Sequence, residues 1–257
     1  MHMPIAYSSS AEPARERWRG LYRVAAAASL VSALFIPIQI AVFLAWPPPL
    51  DGKAVDWFDL LRNHRLAGLV DLDLLLVADN VLLIPIFLAL YVVLHRAHES
   101  AMGIAVVLGF VAILMYVASN PAFQMATLAD GYAAATTDAT RASAEAAGEA
   151  MLATWQGTAF QAAYLLGSLA GLLVGIVMLR TVAFDNGTGW LAILANTVGL
   201  GLYLPGVGVY VAVFSVLFLE VWYLLIARRL HQLGRGSEEP VARSTHIGTS
   251  MSAPRSR

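Results

Sequence analysis

Apolar stretches of membrane-spanning length recur along this chain, and they restrict its folds more than any motif in it. Six of them, residues 24–46, 72–94, 101–119, 158–179, 190–204 and 209–226, approach the ~20 residues an α-helix needs to cross ~30 Å of hydrocarbon. Lipid offers no hydrogen bonds to a backbone, so each segment must satisfy its own N–H and C=O groups. The expected fold class is therefore all-α, a polytopic membrane bundle of six transmembrane helices with a small extracytoplasmic helical cap. The charged fraction of 13% agrees, since soluble domains carry roughly 25%. The fifth stretch is short, and Leu204-Pro205-Gly206-Val207-Gly208 alone divides it from the sixth, so a re-entrant element is the alternative there.

Arginine placement orients the bundle. Arg15, Arg17, Arg19 and Arg23 precede the first stretch, Arg96 follows the second, Arg180 the fourth, and Arg228, Arg229 and Arg235 the sixth. Lys53, Arg62, Arg65 and Arg141 lie on the other side, in two longer loops, 47–71 and 120–157, that also carry most of the loop carboxylates. The positive-inside rule then places both termini in the cytoplasm of a bacterial plasma (inner) membrane. The bacterial source is inferred from composition, a single lysine against fifteen arginines and abundant alanine. Residues 1–20 form a polar cytoplasmic tail, 21–233 the transmembrane domain, and 234–257 a weakly patterned polar tail expected to be disordered. The run beginning at Val24 exceeds the ~7–15 residues of a signal-peptide core, so it is expected to stay as a span.

Both outer loops have helical content. VDWFDLLRNH, residues 55–64, sets apolar residues at helical spacing with Trp57 and Phe58 beside charges, the pattern of a short helix lying in the membrane interface. Residues 136–155 are alanine-rich, can be capped by Thr137 or Asp138, and carry Glu145 and Glu149 on one face; this helix leads into the fourth span with Gly157 at the bend.

Polar residues within the spans are the candidates for function. Asp71 and Asp73 are expected at the water interface as a solvated helix start. Their alternative is a D-x-D metal site, which needs an irregular turn because i and i+2 point roughly 200° apart on a helix. Asp79 and Asn80 lie roughly 10 Å deeper, where a carboxylate is tolerated only if it faces the bundle or is protonated. Helices entering from the same side supply an expected outer cluster of Asp79, Asn80, Asn120, Gln161 and Tyr164. A second polar point, Glu220, is expected to pair with Asn196, with Tyr223 one turn away. The two layers read either as an ion or proton route or as interhelical hydrogen-bond clamps. Ala159, Ala163, Gly167, Gly171 and Gly175 recur every four residues, a small-residue stripe for close helix packing, within the chain or with another subunit.

The chain has no cysteine, which excludes disulfides, thiolate metal sites and cysteine nucleophiles. No histidine lies inside a span, and no G-x-S-x-G, H-E-x-x-H or Walker sequence is present. No cofactor and no nucleic-acid partner are expected; membrane lipid is, with a homo-oligomer or membrane partner left open. Three stretches together, WFDLLRNHRLAGLVDLDLLLVADNVLLIPIFLALYVVL, GYAAATTDATRASAEAAGEAMLATWQGTAFQAAYLLG and LLIARRLHQLG, resemble an uncharacterised bacterial family of six-span integral membrane proteins, a domain of unknown function. That resemblance implies the same six-helix topology and long second outer loop, and no site residues. The leading functional expectation is a non-enzymatic protein that binds or passes a small solute, ion or lipid at an intramembrane polar site. The alternatives are a structural or accessory subunit packing through the glycine stripe, and a lipid-acting enzyme at the outer face holding a divalent ion on Asp71 and Asp73.

Overall fold

The computed structural model describes residues 17–235 and is all-α, with no strand among those residues. Ten α-helices follow one another: α1 (Arg19–Ala45), α2 (Ala54–Asn63), α3 (Arg65–Asp71), α4 (Leu74–Leu94), α5 (Glu99–Ser119), α6 (Ala122–Ala134), α7 (Asp138–Trp155), α8 (Thr158–Met178), α9 (Asn186–Gly199) and α10 (Gly208–Arg235). One 3₁₀ turn, Leu200–Tyr203, extends α9.

Six of these helices close into a ring. In the order α1, α4, α5, α8, α9 and α10, each packs against the next, and α10 packs back on α1. Small residues let the backbones approach: Ala25, Ala28 and Ala33 are buried on α1, and Gly175 meets Gly189, Ala192 and Ile193 of α9. Large apolar side chains on the outside of the ring, among them Leu34, Val107, Leu114, Val213 and Leu217, are exposed, as lipid contact requires.

Five helical stretches are long and apolar enough to cross a membrane: α1, α4, α5 with α6, α7 with α8, and the body of α10. The expected fifth span differs. Its α-helix is 14 residues, about 21 Å at 1.5 Å per residue, short of ~30 Å of hydrocarbon. Past Gly199 the chain tightens into the 3₁₀ turn and then breaks at Pro205 and Gly206, the latter at φ 77. The segment nonetheless follows the length of α8, because the Tyr203 hydroxyl donates to the carbonyl of Gln161 in the first turn of α8 (2.6 Å). From there α10 returns, and the Arg229 guanidinium donates to the carbonyl of Ala183, just beyond the other end of α8. The expected tails, 1–20 and 234–257, lie almost wholly outside the described residues.

The remaining helices build a cap with its own core. Trp57, Phe58 and Leu61 of α2 are buried against Met125 and Ala129 of α6 and Trp155 of α7. Each such side chain contributes about 1.5–3 kcal/mol by leaving water. This corrects the expectation of an interfacial helix at 55–64: its apolar face is covered by protein. The covering element α6 was not expected, since Gly131 and the alanine run around it weaken any periodic signal. Glu149 accepts from the N–H of Ala54 at the start of α2 (2.8 Å), and Arg65 holds Asp130 through two nitrogens (2.8–3.0 Å). α7 begins on its expected cap, Thr137, whose hydroxyl accepts from the N–H of Thr140.

Candidate functional site: a buried polar file

Beneath the cap, α3 ends at Asp71 and α4 begins at Leu74. The link is irregular. Asp73 sits at φ 64, the left-handed region, and no other non-glycine among the described residues does so. Aspartate tolerates this better than most residues, and held strain of this kind gathers at functional sites. Asp73 does not cap its own helix; its Oδ2 accepts from Trp155 Nε1 of the cap (2.9 Å), and the Tyr116 hydroxyl of α5 faces the same carboxylate. Asp71 is only 1% exposed, and neither carboxylate oxygen has a protein partner. Burial pushes both carboxyls up, to about 7 each; the neighbouring Asp73 charge adds to the rise at Asp71, while the donors Trp155 and Tyr116 oppose it at Asp73. The expected solvated helix start is thereby corrected: the cap closes over both residues.

Gln39 of α1 reaches this turn. Its Nε2 donates to the carbonyl of Val70 (2.9 Å), and its buried Oε1 has no partner. Six residues below Asp73, about 9 Å along α4, stands Asp79. It is 8% exposed and faces the inside of the ring, where its Oδ2 accepts from the Tyr223 hydroxyl of α10 (3.0 Å) and its Oδ1 has no partner. The fully buried Ser32 hydroxyl faces both groups without reaching hydrogen-bond geometry. The Tyr116 hydroxyl is also buried and without a hydrogen-bond partner, and it lies close enough to Asp73 and Asp79 to feel both carboxylates. Below Ser32 the fully buried Ser29 donates to the carbonyl of Ala25 (2.9 Å), and Tyr22 is buried two turns farther along α1.

These groups form one file inside the ring. Tyr22, Ser29, Ser32 and Gln39 recur at steps of seven, three and seven, which is one face of α1. No described basic side chain forms an ion pair with Asp71, Asp73 or Asp79. Most buried polar groups in native proteins are satisfied, so the unpartnered atoms of Asp71, Gln39, Ser32, Tyr116 and Asp79 set this region apart.

No family model, curated protein or solved structure matches this chain. The site must therefore be read from its own geometry.

The expected outer cluster is redistributed. Asp79 joins Tyr223 and Ser32, and Tyr164 lies with Tyr116 (ring centroids 6.4 Å apart). Asn120 instead braces the cap junction, donating to the carbonyl of Leu72 (2.6 Å) and accepting from the N–H of Ala122. Asn80 bonds to Leu76 of its own helix, and the Gln161 side chain bonds to the carbonyl of Gln156. The Asn196–Glu220 pair does not form. Asn196 donates to the carbonyl of Ala192 and packs on Gly171, Tyr223 is taken by Asp79, and Glu220 is half-buried at the ring's outer flank, between exposed Leu217 and Leu224. The glycine stripe is used within the chain: Gly167 faces Ala112 of α5, and Gly171 and Gly175 face α9.

Ser29, Ser32, Gln39, Tyr116 and Trp155 were not expected. The polar residues at core spacing in the first span were the legible signal; the roles of Tyr116 and Trp155 depend on the cap. No cluster of three or more His, Cys, Asp or Glu that could hold a metal occurs among the described residues, so an Asp71–Asp73 divalent site lacks a third such ligand. Surface cavities of about 510 Å³, between α6 and α7, and about 400 Å³, beside Phe184 and Arg229, lie away from the file and hold none of its unpartnered atoms.

Proposed function

We propose that this is a six-pass protein of the bacterial plasma membrane, with both termini cytoplasmic, which binds or passes a small ion or solute through the polar file centred on Asp79. The observation that carries this reading is the half-satisfied Asp79: buried inside the ring, held by Tyr223 through one oxygen, with its other oxygen unpartnered. A structural clamp between helices favours pairing both ends, because a buried polar atom without a partner costs about 1–3 kcal/mol. Here Asp79, Tyr116, Ser32 and Gln39 each leave an atom free in the same column, and that cost is reasonable where an occupant supplies the missing bonds. The six-pass topology is supported by the Tyr203–Gln161 bond, which aligns the end of the α9 segment with the far end of α8. A packing role for the glycine stripe toward a second subunit is disfavoured, since α5 and α9 already occupy it.

The test is release of trapped small cations, anions and protons from proteoliposomes carrying the native protein or Asp79→Asn. The reading expects at least one flux above that of protein-free liposomes, and its loss in Asp79→Asn. Native flux retained by Asp79→Asn overturns it.

A further inference from the structure

We infer that the species handled by this file is the proton, taken up at the Asp71–Asp73 turn under the cap and relayed by the Tyr116 hydroxyl and bound water to Asp79. The inference rests on the function proposed above and names its substrate.

Charge balance argues for a proton first. Asp71, Asp73 and Asp79 lie in or above the ring, and no described Lys, Arg or His is ion-paired to any of them. Three negative charges at that depth need compensation, and a single proton neutralises each carboxylate. A hard metal ion demands six or more oxygens in a shell, whereas the unpartnered oxygens here are strung along the bundle, on Asp71 and Gln39 at the top and on Tyr116, Asp79 and Ser32 below. A linear series of hydroxyls and carboxyls suits handing on a proton better than caging a cation.

The chemistry of the middle step follows from Tyr116. A phenol can donate and accept at once, and this one is buried with no protein partner in the field of both Asp73 and Asp79. A proton leaving the Asp73 carboxyl passes to the Tyr116 oxygen as the Tyr116 proton passes toward the Asp79 carboxylate. One proton leaves Asp73, one arrives at Asp79, and Tyr116 is neutral before and after. Water fills whatever part of the ~9 Å the phenol does not bridge. The groups facing this path are Gln39 and Ser32 from α1, Asp71 from α3, Asp73 from the link, Asp79 from α4, Tyr116 from α5, Trp155 from α7, Tyr164 from α8 and Tyr223 from α10. All are neutral or acidic. Onward from Asp79, the hydroxyls of Ser32 and Ser29 continue along the same face of α1 toward Tyr22.

The experiment is proton uptake by proteoliposomes with an interior pH dye, driven by a potassium gradient with valinomycin, for native protein, Tyr116→Phe and Ser32→Ala. Sodium release and, in separate vesicles without valinomycin, potassium release are measured beside it. Tyr116→Phe keeps the ring that packs on Phe160 and Tyr164 and removes only the hydroxyl; an unchanged melting temperature confirms the fold. The inference expects proton uptake to fall about tenfold or more in Tyr116→Phe and to fall also in Ser32→Ala. Native proton uptake in Tyr116→Phe overturns the relay. If Asp79→Asn then still abolishes release of another ion, the relay alone has failed; if native protein moves nothing beyond empty liposomes, the underlying function fails with it.

Discussion

Asp71 ends α3 as a buried carboxyl with no protein partner on either oxygen. A carboxyl raised to about 7 by burial holds its proton more tightly in the folded chain than in the unfolded one, where the ordinary value is 3.8. The folded state thus binds more protons across that window, and stability present below ~4 is lost as pH rises toward ~7. Asp71→Asn removes the charge and keeps the shape. Its melting temperature in detergent should exceed the native value by a few degrees at about pH 8, with the gain shrinking at about pH 5. A variant equally stable or less stable at both values contradicts the burial described here. A side chain that lowers stability and is still present is the pattern of a functional group. The location of Asp71 was only half legible in the chain. Its proximity to a span could be read directly, but its burial depends on the cap core, where Trp155, far away in sequence, packs with Leu69 and Leu72 on either side of it.

At the scale of elements, the stripe of small residues and the polar face of α1 show what periodicity can and cannot convey. Gly167, Gly171 and Gly175 promised a close helix contact, and the structure identifies the partners as α5 and α9. A Cβ on Gly175 would lie 2.8 Å from Ile193 Cγ1 and 3.0 Å from the carbonyl of Gly189, whereas one on Gly167 would meet only Ala112 at 3.6 Å. Gly175→Ala should therefore destabilise the bundle by about 1–3 kcal/mol and Gly167→Ala hardly at all, read as melting temperatures of the two variants. Equal tolerance at both positions would mean that α8 and α9 are not packed as described. The expected Asn196–Glu220 contact failed for a reason of the same kind. Equal depth on neighbouring spans says nothing about rotation, and rotation turns Asn196 onto Gly171 and Glu220 toward the ring's outer flank. The seven-three-seven spacing of Tyr22, Ser29, Ser32 and Gln39 was available in the sequence. Serines in an apolar helix are common enough that only Asp79 and Tyr223 opposite them give the spacing meaning.

At the scale of the whole molecule, a ring of six helices surrounds the file and a cap with its own core sits over one end. The all-α membrane architecture followed from backbone hydrogen bonding in lipid, which allows few alternatives. The cap was less legible, because α6 lacks a strong apolar period and α2 looked like a helix facing lipid. The proposed relay requires the column from Asp71 to Asp79 to be wet and open beneath the cap, not a dry set of helix contacts. Infrared difference spectra of the native protein in bilayers, taken on transfer from H₂O to D₂O at about pH 6, where Asp71 and Asp73 hold their protons, test it most directly. A wet column gives a protonated-carboxyl band that shifts within the mixing time and loses intensity in Asp71→Asn and Asp73→Asn. A band that stays unshifted long after solvent exchange would contradict it.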